Sequence, residues 1–101
     1  MRRQRIVDES GRVAYEGDID LGPTFARIAA GLADPHRNDG SVFANRERRL
    51  PQQPRGYYTE WVIRTEGLRG VGPQRLITGQ SGEAYYTPDH YATFVRVQRP
   101  S

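Results

Sequence analysis

Cysteine is absent from this 101-residue chain, so no disulfide staples it and no thiolate can hold a structural zinc. Histidine is scarce: His36 and His90 alone are too few for most all-nitrogen metal sites, and neither a metal nor another cofactor is expected. Long apolar runs are missing as well. No segment approaches the roughly 20 apolar residues of a membrane span, and Met1 to Arg12 lacks the apolar stretch of a signal peptide. The expectation is a soluble domain without a membrane partner, any export signal having been removed. Lysine is also absent. All 15 basic side chains are arginine, against 12 Asp+Glu, for a formal net charge of +3. Every positive charge therefore sits on a planar guanidinium that binds phosphate bidentately and stacks on rings. A pI near 9.7 suits a polyanionic partner, yet so small an excess supports only weak, salt-sensitive attraction. Local constellations have to carry the argument.

At this length one domain over residues 1–101 is expected, burying roughly 60 to 70% of its unfolded surface. Ile6 and Val7, then Val13 and Tyr15, flank Glu9-Ser10-Gly11 and predict a small hairpin within residues 4–16. Asp18 to Pro23 opens a helix over 23–30, proline being tolerated in a first turn whose N–H would lack a partner anyway. Phe25, Ile28, Ala29 and Leu32 form its apolar stripe, and Gly31 suits its C-terminal cap. Residues 34–40 read as a loop, in which His36 has a structural or solvent role. From Gly40 the periodicity changes from helical to alternating. Strands are predicted over 41–44, 57–64, 75–78, 84–87 and 92–97, with Gly79 to Gly82 as a turn. One N-terminal helix packed on an antiparallel sheet is an α+β fold. Tyr57, Trp61, Tyr85 and Phe94 are expected to fill the core between sheet and helix, facing Phe25 and Ile28.

Glu60 stands inside the strongest strand, on the face of Tyr58 and Val62. Taken alone, it reads as a strand glutamate paired with an arginine, or as a general base held on a rigid element. His90, in the turn Tyr85-Tyr86-Thr87-Pro88-Asp89-His90-Tyr91, carries an imidazole whose free pKa of about 6.5 suits proton transfer near neutrality. Arg75 opens the strand between them. A carboxylate base, an imidazole acid and a guanidinium together suffice for phosphoryl transfer.

The run Val42-Phe43-Ala44-Asn45-Arg46-Glu47 with Leu50-Pro51 is followed by Gly56-Tyr57-Tyr58-Thr59-Glu60, by Arg75-Leu76-Ile77, and by Tyr85-Tyr86-Thr87 with Asp89-His90-Tyr91-Ala92-Thr93-Phe94. In order and spacing these motifs resemble the microbial guanyl-specific ribonucleases, the family of barnase and the small secreted bacterial enzymes. The resemblance covers residues 40–97, extends more weakly over 18–34, and leaves 1–16 unmatched. It implies the microbial ribonuclease fold and a metal-independent endoribonuclease that cuts single-stranded RNA after G through a 2′,3′-cyclic phosphate. It also implies roles: Glu60 as base, His90 as acid, and Arg75 as the phosphate-stabilising arginine, with Tyr91 on the same phosphate. Asn45 and Arg46 would offer backbone N–H groups to guanine O6, Glu47 would accept from N1–H and the amine, and Phe43 would form part of the base platform. Val71 departs from the pattern, standing where members often carry a second arginine; nearby Arg69 is the candidate substitute at the phosphate. Arg48, Arg49 and Arg55 flank the base loop, where they steer RNA or are simply solvated.

The resemblance further suggests a secreted enzyme or a toxin payload, neutralised by a cognate inhibitor of the barstar or immunity-protein kind. A rival reading, motivated by Val71, is a catalytically weak RNA-binding or inhibitor-binding module on the same fold. A purely structural basic domain would make Glu60, Arg75 and His90 accidental.

Overall fold

A computed structural model of the chain describes residues 1–8 and 10–99. Strands β1 (Gln4–Val7) and β2 (Val13–Gly17) pair as an antiparallel hairpin; helix α1 (Gly22–Ala29) follows. Strands β3 (Ser41–Phe43), β4 (Tyr58–Val62), β5 (Arg75–Gly79), β6 (Ala84–Thr87) and β7 (Val95–Val97) then form one antiparallel sheet in sequence order. This is the α+β architecture the alternation of patterns predicts. Glu9, within the expected hairpin turn, lies outside the described residues; Asp8 closes that turn by accepting from the N–H groups of Ser10 and Arg12.

Register decides which residues meet. Trp61 lies opposite Leu76, and Leu76 opposite Tyr86; one residue along, Glu60 lies opposite Ile77, and Ile77 opposite Tyr85. Successive side chains point to opposite faces, so these two rows belong to two different cores. The first row, with Ala84 and Ile63, packs against Leu21 and Phe25 of the helix segment. The second row gathers Tyr58, Ile77, Tyr85 and Leu50, flanked by Phe43, Tyr57, Tyr91 and Phe94. Trp61 thus meets the helix side as expected, whereas Tyr57, Tyr85 and Phe94 do not: alternation turns Tyr85 to the other face, and Tyr57 and Phe94, just outside β4 and β7, pack there too.

The helix stripe is also shorter than expected. Leu21, Phe25 and Ile28 contact the sheet, but Ala29 is exposed and Leu32 is 63% exposed. Gly31, at φ +72°, closes the helix where its capping role predicts, so the apolar stripe ends before Leu32. Its N–H bonds the Ile28 carbonyl while the Leu32 N–H reaches back to Arg27, a Schellman closure that carries Leu32 off the stripe. The last strand likewise begins at Val95 and not at Ala92, because Ala92 and Thr93 donate to Asp89 in a turn.

Candidate active site

The second face of the sheet holds the chemistry. Glu60 is 9% exposed in mid-strand, and a buried carboxylate needs partners. It has them on both oxygens: Ser41 Oγ donates to Oε1 at 3.2 Å, and the Tyr91 hydroxyl donates to Oε2. Burial, followed by this bond and the Glu60 charge, pushes the Tyr91 phenol far above its ordinary range, so Tyr91 stays a donor at any physiological pH.

Arg75 lies in the same register face, one strand away, and is 2% exposed. One terminal nitrogen donates to the carbonyls of Gly72 and Gln74, at 2.8 and 2.7 Å. These bonds fix the guanidinium plane. Its Nε stands 4.0 Å from Glu60 Oε2, beyond hydrogen-bonding range, and has no hydrogen-bond partner among the described residues. A buried donor without an acceptor costs about 1 to 3 kcal/mol. An anion arriving beside Glu60 would relieve that cost. Gln74 braces the segment from beneath, accepting from the Tyr86 hydroxyl and donating to Thr65.

His90 and Tyr91 occupy left-handed backbone, at φ +53° and +74°. For non-glycine residues this costs on the order of 1 to 3 kcal/mol each, so other bonds must hold the turn. The His90 N–H donates to the Pro73 carbonyl at 2.9 Å, and the Tyr91 N–H to Thr87 Oγ1 at 3.0 Å. Asp89 completes the clamp by accepting from Thr87 and from both the N–H and hydroxyl of Thr93. Burial works to raise the Asp89 pKa, but the Thr93 and Thr87 bonds outweigh it and hold the carboxyl below its ordinary 3.8. The result presents an exposed imidazole over the cleft, with its ring 4.7 Å from that of Tyr91.

The Asn45–Glu47 loop forms the opposite wall. Asn45, at φ +53°, exchanges side-chain bonds with Leu50, donating to its carbonyl and accepting from its N–H, at 3.0 and 3.1 Å. Leu50, 4% exposed, anchors the loop in the second core. Arg46 and Glu47 are exposed, and Glu47 is paired with Arg49. Phe43 stacks on Tyr91 at 5.2 Å and meets Phe94 edge-on, giving an aromatic floor.

A cleft of about 370 Å³ brings together Phe43, Asn45, Arg46, Glu47, Glu60, His90 and Tyr91. Arg75 lines a neighbouring groove and reaches this cleft only beside Glu60, its Nε 4.0 Å from Oε2. Arg69 does not enter: it lines that groove with Val71, Arg75 and His90. His36 stays in its loop, accepting from the Asn38 N–H. Sequence reasoning gave no role to Ser41, whose contact with Glu60 joins two strands, or to Asp89, whose bonds to Thr87 and Thr93 are local to its turn. Asn38, also unforeseen, lines the cleft and accepts Ser41 Oγ through its carbonyl. Chemically, the cleft offers a carboxylate acceptor, an accessible imidazole, a fixed guanidinium with a spare donor, and a flat apolar floor for a planar ring.

Comparison with known proteins agrees with this chemistry. Residues 17–98 match a family model described as ribonuclease; β1 and nearly all of β2 lie ahead of it. The chain is 50% identical over 89 residues to guanyl-specific ribonuclease Sa of Kitasatospora aureofaciens, covering 86% of this chain and 93% of that protein. It is 41% identical to guanyl-specific ribonuclease St of Saccharopolyspora erythraea, over 74% and 78% of the two chains. A crystal structure of ribonuclease Sa2 with guanosine-2′-cyclophosphate superposes with a TM-score of 0.72 at 43% identity, covering 83% of this chain and 90% of that one.

Proposed function

Because the chain belongs to the family of microbial guanyl-specific ribonucleases, we propose that its cleft cuts single-stranded RNA on the 3′ side of guanosine by metal-independent transphosphorylation. The observation that carries this reading is the convergence of Glu60, Arg75, His90 and Tyr91 beside the Asn45–Glu47 loop. Glu60 takes the proton of the ribose 2′-OH, and the resulting oxygen attacks the adjacent phosphorus. The phosphorus–O5′ bond breaks as His90 donates its proton to the departing oxygen, leaving a 2′,3′-cyclic phosphate. In the second step His90 takes a proton from water, the hydroxide opens the ring, and Glu60 returns its proton to O2′.

Charge gathers on the phosphate oxygens in the transition state. Arg75 meets it with an unpaired Nε–H on a guanidinium whose Nη1 is held by the Gly72 and Gln74 carbonyls, so little reorganisation is needed. Tyr91 adds a second donor. For the base, the N–H groups of Asn45 and Arg46 suit guanine O6, and Glu47 suits N1–H and the amine once Arg49 swings aside; Phe43 supports the ring. Adenine has no such donor pair and would leave Glu47 unpaired. Val71 withholds one guanidinium from the phosphate, which reduces or reroutes its binding. An endoribonuclease of this reach threatens its producer. The reading therefore includes delivery outside the cell, as a secreted enzyme or toxin payload, with a cognate inhibitor protein covering the cleft.

The test is cleavage of GpN, ApN, CpN and UpN dinucleotides in EDTA near neutral pH. Cutting after G with a 2′,3′-cyclic intermediate, lost by at least a hundredfold in Glu60→Ala and His90→Ala, is the expected result. Full activity in both variants would remove these residues from the mechanism, and no cleavage by the unaltered chain would leave an RNA-binding module.

A further inference from the structure

A second cavity, about 860 Å³, adjoins the cleft. One of its walls is the β1–β2 turn with Val7 and Ser10; the other is the 68–73 loop with Leu68, Val71 and Pro73; Arg75 and His90 close its end. The hairpin comes close to that loop elsewhere too, for Gly67 has room for only an ordinary van der Waals contact with the Ala14 carbonyl. Of all the residues lining the two cavities, His90 alone lines both.

That shared residue sets a direction. On the proposed reading, on which this inference rests, guanosine fills the cleft and His90 protonates O5′ of the nucleoside being expelled. The expelled nucleoside is bonded to that oxygen, so it starts at His90 and leads away from the Asn45–Glu47 loop. The cavity that begins at His90 on that side is the hairpin groove. Its lining is mixed: the carboxylates of Asp8 and Asp89 repel a phosphate from the groove, and between them lies apolar surface that suits a ring. Val7 is 40% exposed with no role in either core, and Val71, Leu68 and Pro73 face the same space without a charge. Apolar surface of this kind gains free energy when a planar base covers it. Arg69, exposed on the same loop, is placed to meet the phosphate that follows.

We infer that the β1–β2 hairpin, most of which lies ahead of residues 17–98 matched by the family model, is a wall of a binding subsite for the nucleoside on the 3′ side of the scissile phosphate. Val71 belongs to the same subsite, and an apolar contact to the leaving nucleoside replaces a contact to phosphate there.

The two steps of the reaction separate this idea from others, because guanosine 2′,3′-cyclic phosphate has no leaving nucleoside. Val7→Asp places a carboxylate in the groove from an exposed position. It should lower kcat/KM for GpA about tenfold while changing hydrolysis of the cyclic phosphate by less than twofold, which also shows that the variant is folded. The methyl ester of guanosine 3′-phosphate, whose leaving group is methanol, should be cleaved equally by both proteins. Equal losses on all three substrates, or no loss on GpA, would overturn the subsite. Inactivity of the unaltered chain toward every substrate would instead sink the reading of the cleft.

Discussion

Glu47 shows how much a single residue is asked to do. It is exposed and paired only with Arg49, a contact that solvent readily replaces, so it contributes little to the fold. On the proposed reading its value lies in discrimination, because a carboxylate that accepts two donors from guanine is left without them by a base that lacks them. Glu47→Ala should therefore leave the melting temperature within a few degrees of the parent, while kcat/KM for GpN falls about a hundredfold or more and the preference over ApN largely disappears. Retained preference in dinucleotide cleavage would assign guanine selection to the loop backbone alone. Arg75 is the opposite case: buried, fixed by two carbonyls, and short of one acceptor. Arg75→Ala loses both the phosphate donor and the brace of the Gly72–Gln74 segment, and should affect activity and stability together.

Two elements position the site through residues that stand behind it. The first is the turn after β6, which keeps His90 and Tyr91 in left-handed backbone through Asp89. Removing the carboxylate lets the turn relax, and a displacement of about 1 Å in a catalytic group can cost on the order of a hundredfold. Asp89→Ala is thus expected to lower kcat by tenfold to a hundredfold while the affinity for guanosine 3′-monophosphate, measured by calorimetry, changes little. A parallel loss of affinity would mean that the whole cleft had collapsed. The second is the loop joining α1 to β3. Asp39, whose side chain is fully buried, accepts two bonds from Arg27 and others from the Asp34 and Val62 N–H groups. Arg27 also donates to the Val62 carbonyl, tying helix, loop and β4 together. Removing one partner of a buried pair leaves the other uncompensated, so Asp39→Ala should cost about 3 to 5 kcal/mol in urea unfolding.

At the scale of the molecule, the carboxylates set the acid limit of stability. Hydrogen bonding by Arg64 holds Asp34 below its ordinary 3.8. For Asp39 and Asp89, burial acts to raise the pKa and hydrogen bonds outweigh it, so both also titrate below 3.8 in the folded chain. Depressed folded values mean that the unfolded chain binds protons first as pH falls. The stabilisation is fully present above about pH 5, clear of the unfolded values, and is lost as pH drops through the folded values. The urea midpoint should be flat from neutrality to about pH 5 and then decline steeply, and Asp39→Asn should make that decline shallower. An unchanged slope would show that other groups govern acid unfolding.

The sequence by itself determined the kinds of element and much of the site. Period changes at Gly40 separated helix from sheet, Gly31 marked the helix end, and the motifs around Glu47, Glu60, Arg75 and His90 named a chemistry, because these signals are local and sit within a few residues of one another. Tertiary structure alone decided where they meet. Strand alternation sent Tyr85 away from the helix, and Tyr57 and Phe94 joined it from beyond the strand ends, a face assignment that depends on neighbouring strands and not on composition. Ser41 reached Glu60 through a bond made across the fold, and the groove beside His90 exists only because a hairpin and a loop distant in sequence face each other. Contacts of that range leave no periodic trace in the chain, since their partners are brought together by packing rather than by spacing.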